Sequence, residues 1–325
     1  MLGRWILLGL CVALLAALPL IGDEVTIQYG IDALLFATLA QAWNILGGFT
    51  GYASFGNSAF YGLGTYGTAI AMAQLDLPFG VGLALGAVLA ILCAVIVGLP
   101  ILRLRGHYFA IATLGLSATI AAIISNLDIA GRNLGLVLPL TRADPLFYEE
   151  ALLLLIAATL CVYWISRSRF GMGLIAIRED EDAAQAMGVN TTLYKVAALT
   201  LSAFFTAIAG GIHAYWITFI DPASSFDLTL NVRMVIMAVF GGPGTVLGPI
   251  FGSFILTIVY QLLASGISTA AALLFGLVIV LAVIFTPRGM TVRSRLHPWM
   301  VLFSLSPMGS LLDVPGHYAD VNEDL

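Results

Sequence analysis

The sequence predicts an all-α polytopic membrane protein with about ten transmembrane or partly spanning helices. Three observations carry this. The chain of 325 residues is 60% hydrophobic and only 10% charged, whereas a soluble domain carries about 25% charged residues. Its apolar residues gather in runs near the length that crosses a bilayer. Its arginines and its single lysine recur in alternate loops, the asymmetry that orients membrane proteins.

Arg4 and the apolar stretch 5–20 fit either a signal peptide or an uncleaved first span, and the lack of a small-x-small cleavage site in ALPLIGDE favours the span. Further apolar runs occupy about 31–48, 58–73, 81–99, 108–124, 151–166, 196–216, 231–240, 246–263 and 269–285. Several are rich in Gly and Ala, which lets helices approach closely in lipid. Cys11, Cys93 and Cys161 each lie inside an apolar run and read as core thiols, not as metal ligands or disulfides.

Placing Arg4 inside and alternating the spans puts Arg103, Arg105, Arg167, Arg169, Arg178, Lys195, Arg288, Arg293 and Arg295 inside as well. Only Arg132, Arg142 and Arg233 fall outside. The same alternation requires an odd number of crossings between Asp221 and Pro287. The run ending at Phe240 is therefore expected to be a short, broken span that stops at Gly241-Gly242-Pro243-Gly244.

The interval 171–195, GMGLIAIREDEDAAQAMGVNTTLYK, is the polar exception. The spacing predicts a helix over 177–187. Glu179, Asp180, Glu181 and Asp182 fall in its first turns, Ala183, Ala184 and Met187 share a face, and Gly188 closes it. Such a helix is expected to have nothing of its own chain to bury against, and so to need a partner surface or the membrane face.

The string Asp182-Ala183-Ala184-x-x-x-Gly188 resembles the "EAA…G" loop of ABC importer permeases, with Asp in place of the usual Glu. Three further blocks are similar to the LivM-type permease subunits of branched-chain amino-acid ABC importers. They are Leu102-Arg103-Leu104-Arg105-Gly106-x-Tyr108-Phe109-Ala110, Leu201-Ser202-Ala203-Phe204-Phe205 through Gly210-Gly211, and Phe240-Gly241-Gly242-x-Gly244-Thr245-x-x-Gly248-Pro249. With Asn44-Ile45-Leu46-Gly47-Gly48 they span roughly 44–287. The resemblance implies a multi-pass subunit of the bacterial inner membrane with a permease domain over 1–290 and a tail over 291–325. It implies a second permease subunit (a hetero-oligomer), cytoplasmic ABC ATPase subunits and a periplasmic substrate-binding protein as partners. Glu179, Asp182, Ala183, Ala184, Met187 and Gly188 would then meet the ATPase.

Lysine occurs once, at Lys195, and a phosphate-binding loop needs G-x-x-x-x-G-K-[ST]. This chain therefore binds no ATP through such a loop, no cofactor is expected, and ATP belongs to partner subunits. No basic block suits nucleic acid, and no catalytic or metal-ligating constellation is present in the sequence.

The two Gly-rich interruptions, one at Asn44, Gly47 and Gly48 and one at Gly241, Gly242 and Gly244, point to the substrate path, because freed backbone groups can face a cavity. Close-packed turns are the alternative use of such glycines. Gln41, Asn44, Asn57, His213 and Gln261 are the intramembrane polar residues, and His213 is the one expected near the path. The outer stretch 126–150 carries Asp128, Arg132, Asp144, Glu149 and Glu150 and offers a docking surface for a binding protein. Within it, Gly131-Arg132-Asn133-Leu134-Gly135-Leu136 departs from the family's TGGxxGL. A secondary transporter or passive channel for small polar solutes is the alternative; Asp32, the only acid near a span, lies at an edge.

Overall fold

The computed structural model describes residues 15–19, 22–140, 144–266 and 276. The first-span expectation, the run at 269–285 and the tail over 291–325 therefore lie wholly or mainly outside the described residues. The chain is an all-α polytopic membrane protein. Helix α1 (Glu24–Trp43) runs into a π-helical turn (Asn44–Gly48), followed by α2 (Asn57–Ala73), α3 (Phe79–Ile101) and α4 (His107–Asn126). Next come α5 (Asp144–Arg167), α6 (Arg169–Glu179), α7 (Glu181–Ala186) and α8 (Thr191–Ile217). The described chain ends with α9 (Pro222–Ser225), α10 (Leu228–Gly241) and α11 (Gly248–Gly266).

Among the described residues five helices are long and apolar enough to cross a membrane: α3, α4, α5, α8 and the Pro222–Gly241 stretch. The expectation of about ten segments otherwise rests on helices that are shorter or, like α1, carry acids, and on stretches outside the described residues. The Pro222–Gly241 span is longer than the run at 231–240 suggested, and it ends at Gly241 as expected.

Bilayer packing inverts the soluble pattern. On α3 the buried residues are Gly82, Gly86, Ala87, Ala90, Ala94 and Gly98, while Val81, Leu85, Val88, Leu92 and Ile96 remain exposed. Lipid is as apolar as leucine, so helices associate through close backbone approach and leave their bulky residues outward. Helices α2, α3 and α8 form the tightest block, and α8 also touches α1, α5 and α6. Gly64 shows the reason: a side chain there would sit on the Ala207 carbonyl of α8. Beside this block α1 packs on α5 and α11, and α10 packs on α11.

The stretch 126–150 is only partly a loop. Two 3-10 turns (Asp128–Ala130 and Arg132–Leu134) lead to a short strand β1 (Leu136–Val137), antiparallel to β2 (Phe219–Ile220). Gly131 and Gly135, the two glycines kept from the family pattern, both have positive φ, at 73° and 78°. Asp144, Glu149 and Glu150 instead belong to α5, which begins seven residues before the apolar run at 151.

The close approach at Gly64 gives a direct test. Gly64→Val should lower the thermal unfolding midpoint of the detergent-solubilised protein by an amount matching about 1–3 kcal/mol or more of overpacking. Gly115→Ala, at a position with nothing within 4 Å of the added carbon, should leave it unchanged.

Candidate functional site

The loop after α5 is built by three side-chain caps. Ser168 Oγ accepts from the Gly171 amide at 3.1 Å and starts α6. Asp180 Oδ1 accepts from the Ala183 amide at 2.9 Å and starts α7, and Asn190 Oδ1 accepts from the Leu193 amide at 3.1 Å and starts α8. The single helix expected over 177–187 is therefore two. Asp180 leaves helical geometry at φ −160°, and its carboxylate takes over an orphan amide of the next turn.

Helix α7 stops as expected. Gly188 has φ +87°; its amide bonds the Gln185 carbonyl at 3.0 Å, and the Val189 amide bonds that of Ala184 at 3.1 Å, the paired pattern of a Schellman stop. The expected apolar face is divided. Ala184 turns inward and is buried, whereas Ala183 is exposed and Met187 is 87% exposed. Glu179 stays outside α7, with its carboxylate 2.9 Å from Arg178.

What fastens α7 to the bundle is a buried ion pair. Lys195 Nζ lies 2.6 Å from Glu181 Oε1 and donates to the Leu102 carbonyl at 2.9 Å. It also sits 4.6 Å from the centre of the Tyr52 ring. The Tyr52 hydroxyl donates to the other Glu181 oxygen. Next to this cluster, Arg105 forks onto Asp182 at 2.8 and 2.9 Å. Residues from the α1–α2 linker, the end of α3, the α3–α4 linker, α7 and α8 thus meet at one carboxylate.

Burial alone would push the Glu181 carboxyl up; hydrogen bonds from Lys195 and Tyr52 and the Lys195 charge outweigh it and hold the group below the ordinary glutamate value. The hydrogen bonds and charge of Arg105 hold Asp182 down in the same way. Burial and the Glu181 carboxylate push the Tyr52 phenol up, so it remains a donor.

The two Gly-rich interruptions meet in space. Asn44 Oδ1 accepts from the Gly244 amide at 2.7 Å, Asn44 Nδ2 donates to the Thr245 carbonyl at 2.9 Å, and Gln41 Nε2 donates to the Val246 carbonyl at 2.6 Å. Gly242 and Gly244 have φ of +118° and +76°. A side chain at Gly48 would strike Asn44 and the Gly244 amide, one at Gly47 the Trp43 ring, and one at Gly241 the Gly248 carbonyl. The backbone groups freed at the break are met by the Gln41 and Asn44 amides. Arg178, at the end of α6, donates to the Gly48 carbonyl at 3.4 Å, so the loop carrying α7 touches the break directly.

His213 lies elsewhere, on a cavity of about 230 Å³ that it lines with Asp32, Tyr61, Leu230 and Arg233. A smaller hollow of about 60 Å³ shares Asp32 and Arg233 and adds Thr257, Tyr260 and Gln261. Two expectations are corrected here. Asp32 is not at the edge of its apolar segment but lies well within α1, facing this cavity. Arg233 is no outer-loop cation; it belongs to α10, half-buried, with its guanidinium 4.3 Å from the centre of the Tyr260 ring. Ionisable residues inside apolar runs were the signal that could have found both. Of the other polar residues, Asn57 donates to Ser202 at 3.1 Å, and Gln261 to the Tyr29 carbonyl at 3.4 Å.

The buried pair predicts two results. Glu181→Gln strands Lys195 as a buried cation, a cost of about 3–5 kcal/mol. Acylation of Lys195 in the membrane-embedded protein, read by peptide mapping, should then be at least about tenfold faster than in the wild type, whereas Asp182→Asn should leave it unchanged. Because the Glu181 carboxyl is held low, its contribution is complete above the ordinary value of 4.5 and is lost as pH falls through the lowered one. A spin label at Met187→Cys, with the native cysteines replaced, should report the same loop order from about pH 8 to 5 and lose it only in stronger acid.

Comparison with known proteins places the chain. The family described as "Branched-chain amino acid transport system / permease component" matches residues 26–284. The high-affinity branched-chain amino acid transport system permease protein LivM of Escherichia coli K12 is 26% identical over 314 residues, covering 87% of this chain and 73% of its own. LivM of Salmonella typhimurium LT2 is 26% identical over 311 residues, covering 86% and 73%. The fructose import permease protein FrcC of Rhizobium meliloti is 31% identical over 101 residues, 29% of this chain and 28% of its own. No solved structure matches. With four-fifths of its length inside the family match and a helical membrane architecture around it, the chain belongs to the permease component family of branched-chain amino acid transport systems.

Proposed function

We propose that this chain is the membrane permease subunit of an ATP-binding-cassette importer of the bacterial inner membrane and translocates branched-chain or related hydrophobic amino acids. The observation that carries the reading is the placement of α7: a short helix with Ala183 and Met187 exposed, anchored to the bundle through Glu181 and Lys195. In this reading α7 docks on a cytoplasmic ATPase subunit through Ala183 and Met187, while Asp182, Ala184 and Gly188 hold its shape and Glu179 borders the contact. A push on α7 reaches α8 and the α1–α2 linker through the ion pair, and reaches the paired glycine breaks through Arg178. Asn44, Gly47, Gly48, Gly241, Gly242 and Gly244 act as the joint beside the path, and His213 lines it.

ATP is bound and hydrolysed by the ATPase subunits, since the only lysine here is the buried Lys195. A second permease subunit completes the pore, and a periplasmic substrate-binding protein delivers the solute at the opposite end, near β1 and β2. One observation favours a second reading, a secondary transporter or passive channel: Asp32, His213 and Arg233 line one cavity, and ionisable residues in spans mark ion pathways.

Co-purification with ATPase subunits, combined with uptake in cells, separates the two. The wild type should retain the ATPase, and Ala183→Arg with Met187→Glu should lose both ATPase and uptake while inserting equally well. If no ATPase associates and uptake instead collapses when a protonophore dissipates the gradient, the secondary-transporter reading replaces this one.

A further inference from the structure

We infer that the cavity between α1, α2, α8 and α10 binds the zwitterionic head group of a free α-amino acid, Arg233 receiving the carboxylate and Asp32 the ammonium. The inference rests on the proposed transport of amino acids and assigns it a place and a charge pattern.

Five observations converge on this cavity. Side chains of opposite charge, Asp32 and Arg233, line both the hollow of about 230 Å³ and the adjoining one of about 60 Å³. A free amino acid is a solute with one charge of each sign on neighbouring atoms, so a wall bearing both complements it without leaving net charge in the membrane interior. Arg233 is positioned against the rings of Tyr260 and Phe36, at 4.3 and 6.0 Å. That restricts its planar fork, the geometry suited to two-point binding of a carboxylate.

The remaining wall sets the aliphatic Leu35, Leu39 and Leu230 beside Phe36, Tyr61 and His213, and the three leucines suit a branched hydrocarbon side chain. The volume is below the roughly 300–1,000 Å³ of pockets for drug-sized ligands, so the space fits a small metabolite. Finally, Thr257 is only 4% exposed, and its hydroxyl, on the smaller hollow, has no hydrogen-bond partner among the described residues. A buried hydroxyl without a partner is costly, and a polar head group beside it relieves that cost. Packing requires none of this chemistry: ionisable groups in apolar spans are expensive and persist where they serve a pathway or ligand.

The test uses the assembled transporter, permease with its ATPase and partner permease, without the binding protein. Binding of radiolabelled leucine is competed with leucine, with 4-methylpentanoate, which lacks the ammonium, and with 3-methylbutylamine, which lacks the carboxylate. Wild type should prefer leucine over either analogue by at least about tenfold. Asp32→Asn should abolish the preference over 4-methylpentanoate while keeping that over the amine, and Arg233→Gln should do the reverse. Asp32→Glu and Arg233→Lys, read alongside, should keep most of both preferences and carry the test if the neutral variants fail to fold. Equal loss of leucine and both analogues in stably folded variants, or unchanged preferences, would overturn the site while leaving the transport reading standing. A wild-type assembly that recruits its ATPase yet neither binds nor moves any amino acid overturns the transport reading and this site with it.

Discussion

The arrangement depends on one buried ion pair. Lys195 is 2% exposed and its charge is met within α7 by Glu181 at 2.6 Å. Taking both charges from water is expensive, and the geometry compensates by saturating them: the ammonium also bonds a carbonyl and lies over a ring, and the second carboxylate oxygen receives the Tyr52 hydroxyl. A buried pair of this kind adds little net stability against an apolar replacement, but losing one partner is severe. Its contribution is therefore positional. It makes the detached position of α7 costly, so a helix of six residues, too short to hold itself together in isolation, occupies one place on the bundle.

Helix α1 and the segment after it link the features of the protein. Asp32 lines the cavity, Asn44 ties the break to the loop after α10, and Tyr52 reaches the ion pair. From Asp32 to Asn44 is about 18 Å at the helical rise. Displacing the loop that carries α7 therefore acts on the same stretch of chain whose other end faces the candidate ligand cavity. The break between them is a π turn, a departure from regular helix that recurs at functional positions.

Much of the fold was legible because lipid imposes simple rules. The runs that became α3, α4, α5 and α8 were evident from composition, and the end of α10 from its glycines. The position of Gly188 as a stop was legible because a positive φ after a short helix is a local requirement. The break at Asp180 was not, because four consecutive acids fit a helix N-terminus equally well in several registers, and the carboxylate that caps is decided by where Glu181 is pulled. The meeting of Asn44 with Gly244 was foreshadowed only as a likeness between two glycine-rich strings; side-chain amides closing the backbone across 200 residues of sequence are a tertiary fact. Arg233 and Asp32 were misplaced for different reasons: counting charges by loop assigns every cation to a surface and fails for one retained inside, while the apolar run begins at 31 although the helix that carries Asp32 begins at Glu24.

The glycine-mediated contact of α2, α3 and α8 has a mechanical consequence. Where a backbone lies directly on a neighbouring backbone, as at Gly64 over Ala207, no side-chain rotamers are available to absorb a displacement, so the contact transmits force with little give. The three helices behave as a stiff block, and so does the α10–α11 pair, where Gly252 lies against the Met237 carbonyl and Gly241; α1 is joined to the loop after α10 through the side-chain amides of Asn44 and Gln41 instead. A change of shape in this protein is then a tilt of one side against a fixed one, with its fulcrum at the joined breaks and its lever arm set by the length of α1.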